Sequence, residues 1–339
     1  MTLIATNPTL ADISRASLPD GSLDRQMVDT ISETNQVFLE ATVLEGNSPV
    51  GNITTQITSE PTVEFRALNE GVSTSKGTTK QVMQTAGMVE GNNQVDEKMV
   101  KLNGNKESYL ALQDLLFSRA MPKKLVNEIF YGNQAVDPKG FDGLATFYSA
   151  ISTDTTKAGY NIISCGGSSA DNYSMWLVVW DPTTLHLFYP QGLAAGWERN
   201  YQGVVRVLDA NGKPYMAHCT NFSWSMGLAV KDHRYAVRLA NIDASDLITY
   251  GSSSDTSPDL LGYMTKAIYR VPTMEIGRPV FYANNTVLEH LEKMIDDKAT
   301  SVRVEDIMMP GGKKMRTLFY KGIPIRRVDK LALETTAIS

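Results

Sequence analysis

The period of the hydrophobic positions changes along this chain, and each change marks an element. Over residues 107–131, Leu112, Leu116, Met121, Leu125, Ile129 and Phe130 recur at spacings near three and four, which predicts a long helix. Pro122 lies inside it and predicts a kink or a brief break, because proline removes a donor and crowds the preceding turn. Gly132-Asn133 closes the pattern, with the glycine expected in the left-handed conformation. An earlier one-sided stripe (Leu23, Met27, Val28, Ile31, Phe38) predicts a helix capped by Ser22 or Asp20. It follows the turn signal at residues 19–22 and an extended arm over residues 1–20. From about 141 to 282 the pattern is that of strands and loops. Residues 175–180 form a continuous apolar run, as in a strand covered on both faces. A turn at 181–184 and a strand at 185–189 follow, then a tight hairpin, 204–209 and 213–220, about Asn211-Gly212. Thr286 and Glu289 read as a capping box opening a helix with Leu288, Leu291 and Ile295 inward. Residues 319–328, with Gly322 and Pro324 inside, read as an edge strand. No repeat of solenoid spacing is present.

Residues 46–95 fit none of these elements. Thr, Ser, Asn and Gly dominate the segment, and only seven of its fifty residues are charged. Alternation at 53–57 and 62–66 reads as strand with one apolar face, residues 71–79 as a turn region and 80–84 as a return strand. A two-stranded ribbon of this length has no core of its own on which to lay that face. A neighbouring copy of the chain would supply one, so the pattern points to assembly.

Composition sharpens this. A chain of 339 residues with 42% hydrophobic content can build two or three packed domains. Charged residues make up only 20%, as suits a surface partly buried between subunits. The formal charge of −5 argues against tight nucleic-acid wrapping, although residues 301–339 carry eight Lys or Arg against four Asp or Glu. Cys165 and Cys219 make no disulfide framework, and no apolar run suits a signal peptide or a membrane span. A chain that folds in a reducing cytoplasm is expected.

Candidate chemistry is weak throughout. His218 and Cys219 are adjacent on a strand and so point to opposite faces. Cys165, beside Gly166-Gly167, has no nearby base. His186, His218, His233 and His290 show no metal-ligand spacing, and His290, flanked by acids on a helix, reads as exposed. Residues 310–314, Pro-Gly-Gly-Lys-Lys, lack phosphate-loop spacing and read as a hairpin tip. Asp296-Asp297 and Glu305-Asp306 lack a calcium-loop pattern. Trp176, Trp180, Trp197 and Trp224 sit in apolar strand surroundings, which favours core or interface packing over a stacking platform. No catalytic residues, metal ligands or cofactors are expected, and the chain does not read as an enzyme.

Several fragments, in order, resemble the major capsid protein of tailed bacteriophages, in the short-tailed-phage branch of the HK97-like fold. They are residues 61–66 with 68–72; Val95-Asp96; 129–133 followed by 140–144; 178–180; 189–192; and 322–325. The resemblance covers most of the chain. It implies an α+β fold with an N-terminal arm at residues 1–45 and an extended β-hairpin loop at 46–100. Residues 101–140 would hold the spine helix and peripheral domain. An axial domain with returning peripheral-domain strands would span 141–325, and a C-terminal segment 326–339.

The function so implied is a major capsid protein that self-assembles into hexamers and pentamers of an icosahedral shell around the phage double-stranded DNA. A closed shell reuses nearly the same modest contacts many times, which suits a rigid body with long arms. The partners implied are copies of the chain, a scaffolding protein during assembly, a portal protein, in some relatives a decoration protein, and packaged DNA held non-specifically; no membrane is implied. The place implied is the virion, assembled in the bacterial host cytoplasm. Arg66, Glu70, Lys76 and Lys80 are the expected intersubunit contacts of the loop, and cutting the tip at 71–79 is expected to abolish shells. Some relatives crosslink a loop lysine to a neighbour's asparagine. Lys76 or Lys80 could serve, but no matching Asn and Glu pattern accompanies them, so non-covalent assembly is expected. A hydrolase lacks a nucleophile–base motif here, and a fibre or adhesin-type binding module does not suit the long helices.

Overall fold

The computed structural model describes residues 36–102, 106–168, 170–209, 211–250, 256–297, 302–308 and 314–339. The expected arm and helix before residue 36, and most of the hairpin tip at 310–314, lie outside the described residues. The first strands are β1 (Val43–Glu45), β2 (Gly51–Ser59), β3 (Thr78–Thr85), β4 (Gly87–Asp96), β5 (Ile162–Ser164), β6 (Asn172–Trp180) and β7 (Leu185–Tyr189). Then come β8 (Trp197–Leu208), β9 (Pro214–Val230), β10 (Ala236–Asp243), β11 (Arg278–Ala283), β12 (Val302–Met308), β13 (Lys314–Tyr320) and β14 (Ile323–Arg327). The main helices are Lys106–Tyr131, Leu260–Arg270 and Asn285–Asp297.

The described chain forms two compact units, residues 34–87 with 127–193 and 226–339, and residues 88–126 with 194–225. In the larger unit β6 is the central strand. It pairs antiparallel with β10 on one side and β11 on the other. The sheet continues through β14 and β13 to β12. On the other flank β7 pairs with β1 and with the end of β9. Because β6 has neighbours on both edges and is covered on both faces, its run from Ser174 to Trp180 is buried throughout, as its apolar pattern predicts. Trp176 packs edge-on against Tyr148 at 5.8 Å, and the indole N–H of Trp180 donates to the Tyr282 hydroxyl at 2.7 Å. Two of the four tryptophans are therefore core. Arg238 lies over the Trp176 ring and donates to Glu334 Oε1 at 2.5 Å, to the Tyr148 carbonyl at 2.8 Å and to Ser174 Oγ at 3.1 Å.

In the smaller unit β8 and β9 form a hairpin much longer than its sequence signal, paired from Trp197↔Trp224 to Leu208↔Pro214. Phe222 stacks on Phe117 of the long helix at 5.1 Å and meets Trp197 at 5.8 Å. Arg199 pairs with Asp114 at 2.6 Å, and Asn93 donates to the same carboxylate at 3.3 Å. Val95, Val100, Tyr109 and Leu110 make a small apolar cluster.

Several expectations need correcting. The long helix runs through Pro122 without a break. The missing hydrogen bond costs about 3 kcal/mol, and burial of Met121, Leu125, Val126, Ile129 and Phe130 around it outweighs that. In its first half the buried positions are Tyr109, Leu110 and Asp114, whereas Leu116 is exposed. Gly132 does not take a left-handed conformation. It is there for room, since a Cβ would sit 2.2 Å from the Phe141 carbonyl oxygen and 2.5 Å from that of Glu128. Gly132→Ala should therefore destabilise the fold by about 1–3 kcal/mol, as overpacking does; urea unfolding of the variant against the parent checks this.

The 285–297 helix is capped by Asn284, whose Oδ1 accepts from the Thr286 N–H at 3.2 Å, so Thr286 is already inside the helix. Its buried face is Val287, His290, Leu291 and Met294; Leu288 is half-buried, and the Ile295 side chain lies outside the described residues. Residues 319–328 are not one edge strand. Lys321 and Gly322 turn with φ of 48° and 82°, and β14 lies inside the sheet between β13 and β11. Pro324 is tolerated because it precedes the first residue of β14 that pairs with β11, Ile325.

Candidate assembly arm

The segment that sequence pattern could not place in a core has a structured root and an unpaired end. Strands β2 and β3 form a separate two-stranded sheet, in register from Gly51↔Thr85 to Ile57↔Thr79 and shifting to Ser59↔Thr78. At the root, the Asn47 side chain makes two 2.7 Å bonds to the backbone of Ile53. The Gln56 amide donates to the carbonyls of Val230 and Lys231 at 3.3 and 3.0 Å, and the Gln84 amide donates to Val230 at 3.1 Å. The Gln134 amide donates to Thr85 Oγ1 and, at 3.0 Å, to the Gly140 carbonyl.

The alternation of this ribbon is inverted relative to an ordinary surface hairpin. Polar Asn52, Thr54 and Gln84 are the buried side chains, while Ile53, Ile57 and Met83 face outward. Facing strands bury an apolar side and solvate a polar one; here the apolar side is the more exposed one, with Ile53, Ile57 and Met83 at 41%, 76% and 48%. The sequence predicts an apolar face on the ribbon, and the structure places it on the outside.

Residues 60–77 contain no strand, so the strand expected at 62–66 does not form. Pro61 lies two residues past Ser59, the last paired residue, and offers no backbone N–H, and the next residues have no partner strand. Two limbs are nevertheless tied: Ser59 Oγ to Thr78 Oγ1 at 2.7 Å, and Ser75 Oγ donating to the Thr62 carbonyl at 2.7 Å. At the tip the Glu70 N–H donates to the Ala67 carbonyl at 3.3 Å, with Asn69 at φ 70°. Arg66, Glu70 and Lys76 are on this loop, and Lys80 is on β3 opposite Gln56. All four are exposed, and among the described residues no ion pair joins them. Val63, Phe65 and Leu68 share the loop and are 87%, 108% and 93% exposed. In the sequence Val63 and Phe65 read as one strand face, and Leu68 enters only within the fragment 68–72. The available signal was three large apolar residues spaced among charges just after a proline.

The remaining chemical candidates are structural. Burial pushes the Cys165 thiol up to about 12 and raises Cys219 as well, the opposite of the shift that activates a thiol. His218 Nδ1 is 2.6 Å from the Tyr201 hydroxyl, not from a cysteine. His290 is not exposed as expected; it is buried in the helix's inner face, with its ring edge-on to Tyr250 at 5.0 Å. No group of His, Cys, Asp or Glu suited to a metal ion occurs among the described residues. No helix among them is long and apolar enough to cross a membrane.

His186 is buried on β7, where desolvation, helped by nearby Lys231, lowers its pKa to about 4 against the opposing pull of Asp181. His233 is lowered in the same direction, mainly by burial. The unfolded chain binds these protons near pH 6.5 and the folded chain does not. Stability therefore falls as pH drops below about 6.5 and, for His186, levels off near pH 4. Thermal unfolding across that range should show the decline, and His186→Gln should flatten part of it.

The family model described as Major capsid protein GP7 matches residues 19–339. The chain is similar to a chain of the near-atomic structure of Bacteriophage Epsilon15, at TM-score 0.75 and 28% identity, covering 100% of this chain and 99% of that one. Looser likenesses include the Bacteriophage JBD30 capsid (TM-score 0.47, 10% identity, 96% of this chain and 99% of that) and the capsid of Myoviridae Phage XM1 (TM-score 0.41, 9% identity, 64% and 95%). No curated protein matches the chain. An α+β fold of the HK97-like kind, an outward-facing apolar ribbon and a family match over nearly the whole length agree: the chain belongs to the GP7 family of major capsid proteins and is a shell-forming, structural subunit of a phage capsid.

Proposed function

We propose that copies of this chain form hexamers and pentamers that close an icosahedral shell around double-stranded DNA, with residues 46–100 as the arm that each copy lays on its neighbour. The observation that carries this reading is the ribbon, tied at its root by polar side chains and presenting Ile53, Ile57 and Met83 outward. Residues 1–45 form the N-terminal arm. Residues 101–140 give the spine helix and peripheral domain, 141–325 the axial domain with returning peripheral-domain strands, and 326–339 the C-terminal segment. The grouping of residues 194–225 with the first part of the long helix supports that return. Arg66, Glu70, Lys76 and Lys80 make polar contacts across the interface, consistent with their exposure and their lack of ion pairs with one another.

A scaffolding protein guides assembly in the host cytoplasm, and a portal protein occupies one vertex. A decoration protein is a partner only as some relatives have one. DNA is held without sequence-specific contacts, as suits a subunit of net charge −5. Light scattering coupled to size exclusion, with electron microscopy of the void fraction, tests the reading. Shells or capsomers of six and five copies are expected, and a strict monomer at high concentration, with and without scaffold, contradicts it.

A further inference from the structure

The charged residues of the loop are its conspicuous feature in sequence, yet its exposed apolar area is the larger physical fact. Val63, Phe65 and Leu68 protrude from residues 60–77 with almost no cover from their own chain. A fully exposed aromatic side chain alone offers roughly 150–250 Å². A stable interface needs about 800 Å² from each partner. The three tip residues, with Ile53, Ile57 and Met83 facing outward on the ribbon, give the arm six exposed apolar side chains, and the tip residues are the most exposed of them. Exposed charges, by contrast, contribute little to affinity, with a median of about 0–1 kcal/mol per pair, and act mainly on encounter rate and register.

The tip is also pre-shaped. The Ser59–Thr78 and Ser75–Thr62 bonds hold its two limbs together, and the turn at Ala67–Glu70 sets the end. A tied loop loses less conformational entropy on docking than a free one.

We infer that Val63, Phe65 and Leu68 are the affinity-determining contacts of the arm, seated in an apolar depression on a second copy of this chain, and that Arg66, Glu70, Lys76 and Lys80 orient it. The inference rests on the reading of residues 46–100 as an intersubunit arm. The occupant is a second copy because the chain is a shell-forming subunit, so its surface is surrounded by other copies of itself.

Two variants of the full chain test this. One carries Val63→Ser, Phe65→Ser and Leu68→Ser; the other carries Arg66→Ala, Glu70→Ala, Lys76→Ala and Lys80→Ala. Each is followed by thermal unfolding of the free subunit and by light scattering and electron microscopy of assembly at low and high salt. The apolar variant should keep the parent's melting temperature within a degree or two, since these side chains are almost wholly exposed on the subunit. It should need at least tenfold more protein to assemble, or not assemble at all. The charge variant should still form shells, more slowly, with a weaker dependence on salt. If the charge variant fails and the apolar variant assembles like the parent, the inference is overturned while the arm reading stands. If both assemble like the parent, the arm reading itself falls. A melting temperature lowered by several degrees in the apolar variant would mean that the tip packs on its own subunit, which also overturns the inference.

Discussion

Replacing residues 60–77 with a two-residue Asn-Gly turn should leave a folded subunit that no longer forms shells. The replaced stretch contributes no strand, and all of its residues are exposed. The replacement joins Ser59 to Thr78, which already face each other across the ribbon, and Asn-Gly is a turn that suits a two-residue hairpin connection. The root contacts of Asn47, Gln56, Gln84 and Gln134 all lie on the body's side of the cut. The free subunit should therefore unfold at the same urea concentration as the parent. What disappears is the surface offered to another copy, so assembly followed by light scattering should be lost. A cut at 71–79 would remove Thr78 and Thr79 from β3 and leave Phe65 and Leu68 in place, whereas one at 60–77 spares the ribbon.

Arg238→Met should destabilise the subunit by about 3–5 kcal/mol, the cost of breaking a buried pair and leaving one charge uncompensated. Arg238 and Glu334 are both largely shielded from water, and their closest atoms are 2.5 Å apart. The guanidinium also satisfies the Tyr148 carbonyl and Ser174 Oγ, and it covers the Trp176 ring. Glu334 in turn exchanges backbone hydrogen bonds with Asn172, at 3.2 and 2.7 Å, so the pair fastens the last residues of the chain to the central strand. Nearby, the Asn241 amide both donates to and accepts from the backbone of Ile338. Adding Glu334→Leu to Arg238→Met should recover part of the loss, because a buried pair removed whole leaves no orphaned charge. Urea unfolding of the two variants measures both effects.

The sequence reading succeeded where one physical requirement dominates. Residues 175–180 must be covered on both faces and are written as an unbroken apolar run, and the long helix shows its period over its buried second half. It failed where partners that are remote in sequence decide the outcome. Strand β10 is buried at every position, yet it contains Arg238 and Asn241, which are tolerated only because Glu334, Ser164 and Ile338 meet them. His290 looked exposed because its flanking acids are on the helix surface, while its own position falls one step round, on the buried face. The arm is the converse case. Its apolar residues are legible in the sequence, but they stay exposed among the described residues, so the pattern that marks them does not show what they meet.

The most direct measurement is a cryo-electron microscopy map of the assembled particle at side-chain resolution. The account predicts density for residues 60–77 lying on a different subunit, with Phe65 and Leu68 enclosed by that subunit's apolar side chains. A loop that projects into solvent, or that folds back on the subunit it belongs to, would contradict it.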